Sequence, residues 1–174
     1  MLQVDLRELD RDPVETRATL APGDPLFTGL NFELAEPVEV GGRLQATGED
    51  RFYWHGRLRT AVKGQCRRCL TDVRLPITAE IGALFSQEPD AADDPDAYPL
   101  PPDAGMIDVT PALREELILA VPAYLECRPD CKGLCPRCGQ DLNLGPCDCA
   151  PATDPRWAAL EPLKGKRTDG RTKA

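Results

Sequence analysis

Cysteine is the residue type in this sequence whose spacing points most clearly to chemistry. Six of the eight cysteines lie in one stretch, CRPDCKGLCPRCGQDLNLGPCDC, which runs from residue 127 to residue 149. The other two lie upstream, in the sequence GQCRRCL. The eight form four close pairs, which are Cys66 and Cys69, Cys127 and Cys131, Cys135 and Cys138, and Cys147 and Cys149. Each spacing allows two sulfurs of one turn to reach a single ion, and a tetrahedral structural zinc takes two such pairs at about 2.3 Å.

The order of these pairs predicts two structural zinc sites with four cysteines each. In the most local arrangement, one zinc is held by Cys135, Cys138, Cys147 and Cys149. The second zinc is then held by Cys66, Cys69, Cys127 and Cys131. In the CPRCG turn, Gly139 can adopt the positive φ that the turn requires. Two alternatives stay open at this point: one four-cysteine site with the other cysteines left over, or an exchange of pairs between the sites.

Disulfide bonds, redox catalysis and an iron–sulfur cluster are the other uses of clustered thiols. The N-terminal sequence MLQVDLRELDRDP lacks the apolar core of a secretory signal, and no later segment is suited to span a bilayer. We therefore expect a soluble, cytoplasmic protein with reduced thiols and no membrane partner. A thioredoxin-like dithiol belongs at the start of a helix, whereas Cys66 and Cys69 lie between two strand patterns. The paired spacing favours zinc over an iron–sulfur cluster.

Alternating apolar and polar residues predict the strands that must position these cysteines. In residues 52–64, the apolar positions of one parity are Phe52, Trp54, Leu58 and Val62. The opposite parity carries Arg51, Tyr53, His55, Arg57, Arg59 and Lys63. Residues 73–85 alternate in the same way, and residues 37–50 predict a third strand, interrupted at Gly41 and Gly42. Such strands with short links predict an antiparallel meander, to which QVDLREL near the start adds an edge strand.

The remaining segments complete an α+β fold class, a β-rich antiparallel meander with a packed helix and a C-terminal cysteine-rich zinc module. Residues 110–121 have helical spacing, and the predicted buried side consists of Leu113, Leu117, Ile118 and Val121. The Pro-, Asp- and Ala-rich residues 87–105 are predicted to form a mobile acidic loop. We divide the chain into a sheet-and-helix domain at 1–125, a zinc knuckle module at 126–150, and a docking helix with a basic tail at 151–174.

Charge is distributed unevenly along the chain, whose formal net charge is −8. Residues 88–103 carry six acids and no base, whereas residues 51–68 carry six bases and no acid. The residues suited to phosphate contact or base stacking are Arg51, Tyr53, Arg57, Arg59, Lys63, Arg67 and Arg68. Two plainer interpretations stand beside this one: a solvated strand face, or neutralisation of the zinc thiolates by nearby bases.

The cysteine segments also resemble a known family. The stretch GQCRRCL, then IDVTPALREELILAVPAYLEC, then CRPDCKGLCPRCGQDLN with CDC and DPRWAALEPLK, is similar to the YceD family, or large ribosomal RNA subunit accumulation proteins. The resemblance implies a role in the accumulation or processing of large-subunit ribosomal RNA. Some members keep only the hairpin pair, which favours joining Cys66 and Cys69 to ligands just after the helix and makes the 135–149 site an addition.

The leading functional hypothesis is therefore a non-enzymatic factor for large-subunit ribosomal RNA accumulation and ribosome assembly, with two structural zinc ions. Its partners are ribosomal RNA or a pre-ribosomal particle, with a ribosomal protein or a ribonuclease as further partners. The alternative is a zinc-stabilised adaptor or chaperone for a ribosomal protein, without direct RNA contact. An enzyme is not expected, because the one histidine, His55, lies on the presumed exposed strand face and every cysteine is a candidate ligand.

Overall fold

The computed structural model describes residues 2–9, 12–48, 50–149 and 156. Eight strands and two α-helices occur in this part of the chain. In order they are β1 (Gln3–Asp5), α1 (Leu6–Leu9), β2 (Val14–Leu20), β3 (Glu33–Leu34), β4 (Val38–Gly48), β5 (Arg51–Gln65), β6 (Asp72–Ser86), β7 (Ala97–Pro99), β8 (Met106–Asp108) and α2 (Thr110–Ala120). Apart from Arg156, the predicted docking helix and basic tail, including Trp157, lie outside the described residues.

The main sheet is built around the predicted antiparallel meander of β4, β5 and β6. Strands β5 and β6 are each 15 residues long and pair along their whole length, from Arg51 opposite Ser86 to Gln65 opposite Asp72. Strand β2 adds antiparallel to β4, and the short β3 pairs with the far end of β5. Strand β7 pairs parallel with β6 at the other edge, which the sequence did not predict. The β-rich α+β fold class is confirmed.

Strand β4 runs without interruption through Gly41 and Gly42, so the predicted break at these glycines is wrong. The reason lies on the inner face of the sheet, where the fully buried indole of Trp54 passes over Gly42 and Gly56. The indole Nε1 donates a 2.9 Å hydrogen bond to the hydroxyl of Thr16 on β2. The glycines therefore make room for a large side chain within a continuous strand.

The hydrophobic core lies between the inner sheet face and helix α2. Leu58 and Val62 of β5 are fully buried, as are Leu113 and Leu117 of the helix. Ile118 was predicted on the buried side, but 43% of it is exposed. The buried residues of the helix are Ala112, Leu113 and Leu117, and the strand that it contacts most is β6.

The predicted N-terminal edge strand forms, but it does not join the main sheet. Strand β1 pairs antiparallel with β8 in a separate two-stranded sheet. The buried side chains of Val4 and Ile107 face the core from this pair. The Asp108 carboxylate accepts hydrogen bonds from the backbone N–H and the hydroxyl of Thr110, and so orders the first turn of α2.

The segment predicted as a mobile acidic loop, 87–105, contains β7. The Tyr98 ring of this strand stacks on Phe85 with ring centroids 5.2 Å apart, and its hydroxyl donates a 2.5 Å hydrogen bond to Glu115 of α2. The Gln87 side-chain amide donates to the carbonyls of Pro101 and Ala104. These contacts fasten parts of the segment to the rest of the fold. The mobility of the segment stays a prediction, as does the three-part division of the chain.

Among the described helices, none is long and apolar enough to cross a membrane.

Candidate metal centres

Cys66 and Cys69 lie in the loop between β5 and β6, which we call the hairpin loop (residues 66–71). The Cys66 N–H donates to the Thr71 carbonyl at 2.8 Å, and the Leu70 N–H donates to the Cys66 carbonyl at 2.9 Å. These bonds close a tight turn, in which Leu70 has a φ of 61°. Both cysteines are buried at the end of the long strand pair. The sheet therefore presents two thiols at a fixed position.

Cys127 and Cys131, which follow α2, complete the first centre (Cys66, Cys69, Cys127 and Cys131). Its four sulfurs all lie within 4.8 Å of one another. The Cys66 and Cys131 sulfurs are 3.9 Å apart, and those of Cys69 and Cys127 are 3.6 Å apart. Sulfurs bound tetrahedrally at about 2.3 Å lie about 3.8 Å from each other, whereas a disulfide needs about 2.0 Å. The four sulfurs thus have the geometry of a single-ion site.

Backbone N–H groups favour the thiolate form in the first centre. The N–H of Cys127, and after it the N–H of Cys69, lower the pKa of the Cys66 thiol to about 6. The pKa of Cys69 is also lowered, chiefly by the hydrogen bond with the Thr71 hydroxyl, whose oxygen is 3.3 Å from the sulfur. Thiolates are the form that binds metal. The hairpin loop therefore favours the thiolate form at Cys66 and Cys69, whereas burial raises the pKa of Cys127 to about 12.

Arg67 and Arg68 fasten the hairpin loop to the segment after α2. Both pair with the Glu126 carboxylate, at 2.7 and 3.4 Å. Arg68 also donates to the Cys131 carbonyl at 2.9 Å, and the Arg67 guanidinium lies 5.2 Å from the ring centroid of Tyr124. These contacts support a structural role for the two arginines. Their predicted contact with RNA stays a prediction.

The second centre consists of Cys135, Cys138, Cys147 and Cys149, whose sulfurs also lie within 4.8 Å of one another. The Gly139 N–H donates to the Cys135 carbonyl at 2.9 Å, and Gly139 has a φ of 75°, as the CPRCG turn predicts. The N–H groups of Cys138 and then Arg137 lower the pKa of Cys135 to about 6. The pKa of Cys149 is raised to about 12, first by its hydrogen bond to Cys138.

The grouping of the cysteines into two sets of four is the one that the sequence predicted first. The centres differ in exposure. In the first, three of the four cysteines are buried, whereas in the second only Cys135 is buried. All eight cysteines are among the described residues, and all are free thiols. The arrangement contains neither a disulfide nor a leftover pair.

Asn143 connects the two centres and was not singled out from the sequence. Its side-chain oxygen accepts hydrogen bonds from the Lys132 N–H at 2.8 Å and from Arg128 at 2.9 Å. Its amide nitrogen donates to Asp141 at 2.6 Å and to the Cys131 sulfur at 3.5 Å. The residue therefore orients a ligand of the first centre from within the loop that carries the second. The sequence signal that could have indicated Asn143 is its position at the end of the CKGLCPRCGQDLN stretch, on which the family resemblance depends.

Asn143→Asp is expected to weaken metal binding at the first centre by about 10- to 100-fold. The substitution keeps the acceptor oxygen but places a carboxylate against the Cys131 thiolate and Asp141. Zinc affinity, measured by competition with a chromophoric chelator, checks this. Asn31→Asp makes the same charge change outside both centres and is the matched control. Equal affinities for the two variants would contradict the expectation.

The predicted RNA-contacting residues on β5 all lie on the outer face of the sheet, as their parity requires. Most of the arginine and lysine side chains among these residues form an ion pair with a carboxylate. Arg51 pairs with Glu88 at 3.5 Å, Arg57 pairs with Glu80, and Lys63 pairs with Glu33 at 3.2 Å; these three pairs are exposed. Arg59 differs, because it has no ion pair with any residue that the structure describes. Tyr53 is 37% exposed, with its hydroxyl over Gly82.

Fold and centres together define a class of protein: a β-rich α+β domain with two four-cysteine clusters that could hold metal, at one of which the hairpin loop meets the segment after α2. The chain belongs to the YceD family. The family model described as "Large ribosomal RNA subunit accumulation protein YceD" matches residues 54–164, so the sequence resemblance is confirmed. No solved structure matches the chain.

Relatives occur in bacteria and plants. An uncharacterized protein of Mycobacterium tuberculosis is 36% identical over 119 residues, which are 66% of this chain and 56% of the relative. The uncharacterized protein YlbN of Bacillus subtilis is 35% identical over 146 residues, 79% of this chain and 81% of the relative. In Arabidopsis thaliana, "Large ribosomal RNA subunit accumulation protein YCED homolog 1, chloroplastic" is 26% identical, over 54% of this chain and 38% of the relative. The chain thus spans just over half the length of its mycobacterial relatives.

Proposed function

We propose that this chain is a non-enzymatic, cytoplasmic factor for the accumulation of large-subunit ribosomal RNA, held together by two structural zinc ions. The observation that carries the proposal is the family match over residues 54–164. The Arabidopsis and Zea mays relatives bear the same description in their names. We extend that role to this chain, together with binding of ribosomal RNA or a pre-ribosomal particle.

Zinc is the metal that best suits both centres. Four thiolate ligands around one position favour zinc or an iron–sulfur site. An iron–sulfur cluster of several atoms holds its thiolates apart, whereas each set of four sulfurs here lies within 4.8 Å, close enough to share one ion. When bound, the ion would connect the hairpin loop to the segment after α2 in the first centre, and close the C-terminal loop on itself in the second.

A structural role for the ions is supported by the number of ligands. Each centre offers four sulfurs, which fills a tetrahedral zinc and leaves no position for a substrate. The one histidine, His55, lies on the exposed sheet face with its Nε2 3.8 Å from Glu80. These observations favour a binding protein over an enzyme.

Depletion of the protein in its host is expected to lower mature large-subunit ribosomal RNA relative to small-subunit RNA. Quantitative gel analysis of total RNA, with sucrose-gradient profiles of the ribosomal particles, measures this ratio. Restored expression of the unmodified chain is expected to return the ratio to its starting value. An unchanged ratio after depletion would refute the proposed role. Pull-down of a ribosomal protein that survives nuclease treatment would favour the adaptor alternative over direct RNA contact.

A further inference from the structure

A groove of about 690 Å³ opens on the outer face of the main sheet, where β2, β4 and β5 are neighbours. Gly41 of β4 forms its floor. The polar side chains that line it are Arg17, Thr19, Glu39, Arg57 and Arg59. This groove is distinct from both cysteine centres, and it adds residues of β2 to a face that the sequence assigned to β5 alone.

The floor is open because residue 41 has no side chain. Gly41 lies in register between Arg17 on β2 and Arg57 on β5. A Cβ at residue 41 would be 3.8 Å from its nearest neighbours, one of which is the Arg17 Cγ, and this is ordinary contact. A Cβ at the adjacent Gly42 would be 2.7 Å from the Gly56 Cα. Packing therefore requires glycine at residue 42 but not at residue 41.

Three guanidinium groups line the groove, against one carboxylate in its wall, Glu39. Arg57 is held by Glu80, which engages its Nε and one terminal nitrogen. A guanidinium has five N–H donors, so Arg57 keeps donors for a ligand while Glu80 fixes its orientation. Arg59 has no ion pair with the described part of the chain. The groove thus combines an arginine oriented by Glu80 with one that lies opposite Glu39 in register but has no ion pair among the described residues.

The acidic segment lies at the opposite edge of the sheet. Residues 88–103, with six acids, follow β6 and contain β7, which is the strand farthest from β2 in the sheet order. Strand β6 therefore lies between this edge and the groove, and the acid that reaches β5, Glu88, pairs with Arg51, which does not line the groove. This separation lets an acidic chain present a local site for an anion in spite of its overall charge.

We propose that this groove binds the phosphodiester backbone of an RNA strand. Arg17 and Arg59 contact phosphates from opposite sides of the Gly41 floor, and Arg57, oriented by Glu80, contacts the same backbone. Planar guanidinium groups suit phosphate because they donate two parallel hydrogen bonds. Tyr53, on the same face of β5, offers a ring for an unpaired base. The proposal rests on the proposed function, which supplies large-subunit ribosomal RNA as the ligand.

The test measures binding of the full, zinc-loaded chain to a fluorescent oligouridine strand by anisotropy across a salt series. Gly41→Leu fills the floor without a charge change, and Arg59→Gln removes one charge from the wall. Each is expected to weaken binding by about tenfold, and Arg59→Gln to reduce the salt slope by about 1. Arg7→Gln, on α1, makes the same charge change away from the groove and is expected to leave the affinity unchanged.

Several outcomes would overturn the groove as an RNA site. These are no binding by the unmodified chain, unchanged affinity in both groove variants, or an equal loss in Arg7→Gln. Competition by polyglutamate as strong as by unlabelled RNA would also overturn it, since the site would then select acidic protein. The depletion experiment separates this proposal from the proposed function. If depletion of the protein does not change the level of ribosomal RNA, the proposed function is refuted. The oligouridine titration then still tests whether the groove binds RNA.

Discussion

Cys66→Ser is expected to reduce the zinc content from two ions per chain to one and to detach the hairpin loop from the segment after α2. Cys66 is fully buried, and its sulfur lies 3.9 Å from that of Cys131 across the first centre. Loss of a structural metal is among the few single changes that cost about 4 kcal/mol or more. A serine oxygen replaces the thiolate poorly, because zinc in such sites takes sulfur or imidazole ligands.

Metal content by mass spectrometry, thermal unfolding and hydrogen exchange together check this result. Hydrogen exchange is expected to become faster at two backbone N–H groups whose hydrogen bonds join the segments. These are the N–H of Arg67, bonded to the Leu125 carbonyl, and the N–H of Leu134, bonded to the Arg68 carbonyl. Cys138→Ser removes a ligand from the second centre and is the matched control. It is expected to lose one zinc too, yet to keep both of those bonds protected. A Cys66→Ser protein that retains two zinc ions would show that the first centre is not a metal site.

The strands and the helix were predictable because their burial follows a local pattern. Inward residues of β5, such as Trp54 and Leu58, alternate with exposed ones, and this period of two is visible in the sequence alone. The grouping of the cysteines was predictable for a similar reason, since close spacing limits which sulfurs can share an ion. Residues near one another in the chain sufficed for the strands, the four close pairs and the second centre. Joining Cys69 to Cys127, 58 residues away, instead followed from assigning the other four cysteines to the second centre.

What the sequence did not predict depends on residues far apart in the chain. Glu80, the partner of Arg57, is 23 residues away, and Glu126, the partner of Arg67, is 59 residues away. The run of bases in 51–68 therefore appeared more basic than the folded surface is. The wrong prediction of a break in β4 has the same cause. Glycine occurs at residue 42 because the Trp54 indole of the neighbouring strand occupies the space of a side chain there.

Gly42→Val is expected to lower the free energy of unfolding by about 3 kcal/mol or more. A Cβ at residue 42 would be 2.7 Å from the Gly56 Cα and from the His55 carbonyl oxygen. These are backbone atoms, so no side-chain rotation can relieve the clash. It would also be 2.7 Å from the Trp54 Nε1. Overpacking a core costs about 1–3 kcal/mol. Displacing the indole leaves the buried Thr16 hydroxyl without its partner, which costs about 1–3 kcal/mol more.

Gly41→Val is the matched control, since it makes the same substitution one residue away on the other face of the same strand. Its Cβ meets only ordinary contacts at 3.8 Å, and valine suits a strand, so a change within about 0.5 kcal/mol is expected. Chemical denaturation followed by Trp fluorescence measures both variants. Equal destabilisation would contradict the assignment of residue 42 to the packed face and residue 41 to the groove. A stable Gly41→Val protein would instead mean that folding does not require glycine at residue 41. Any loss of RNA binding in Gly41→Leu would then result from filling the groove and not from misfolding.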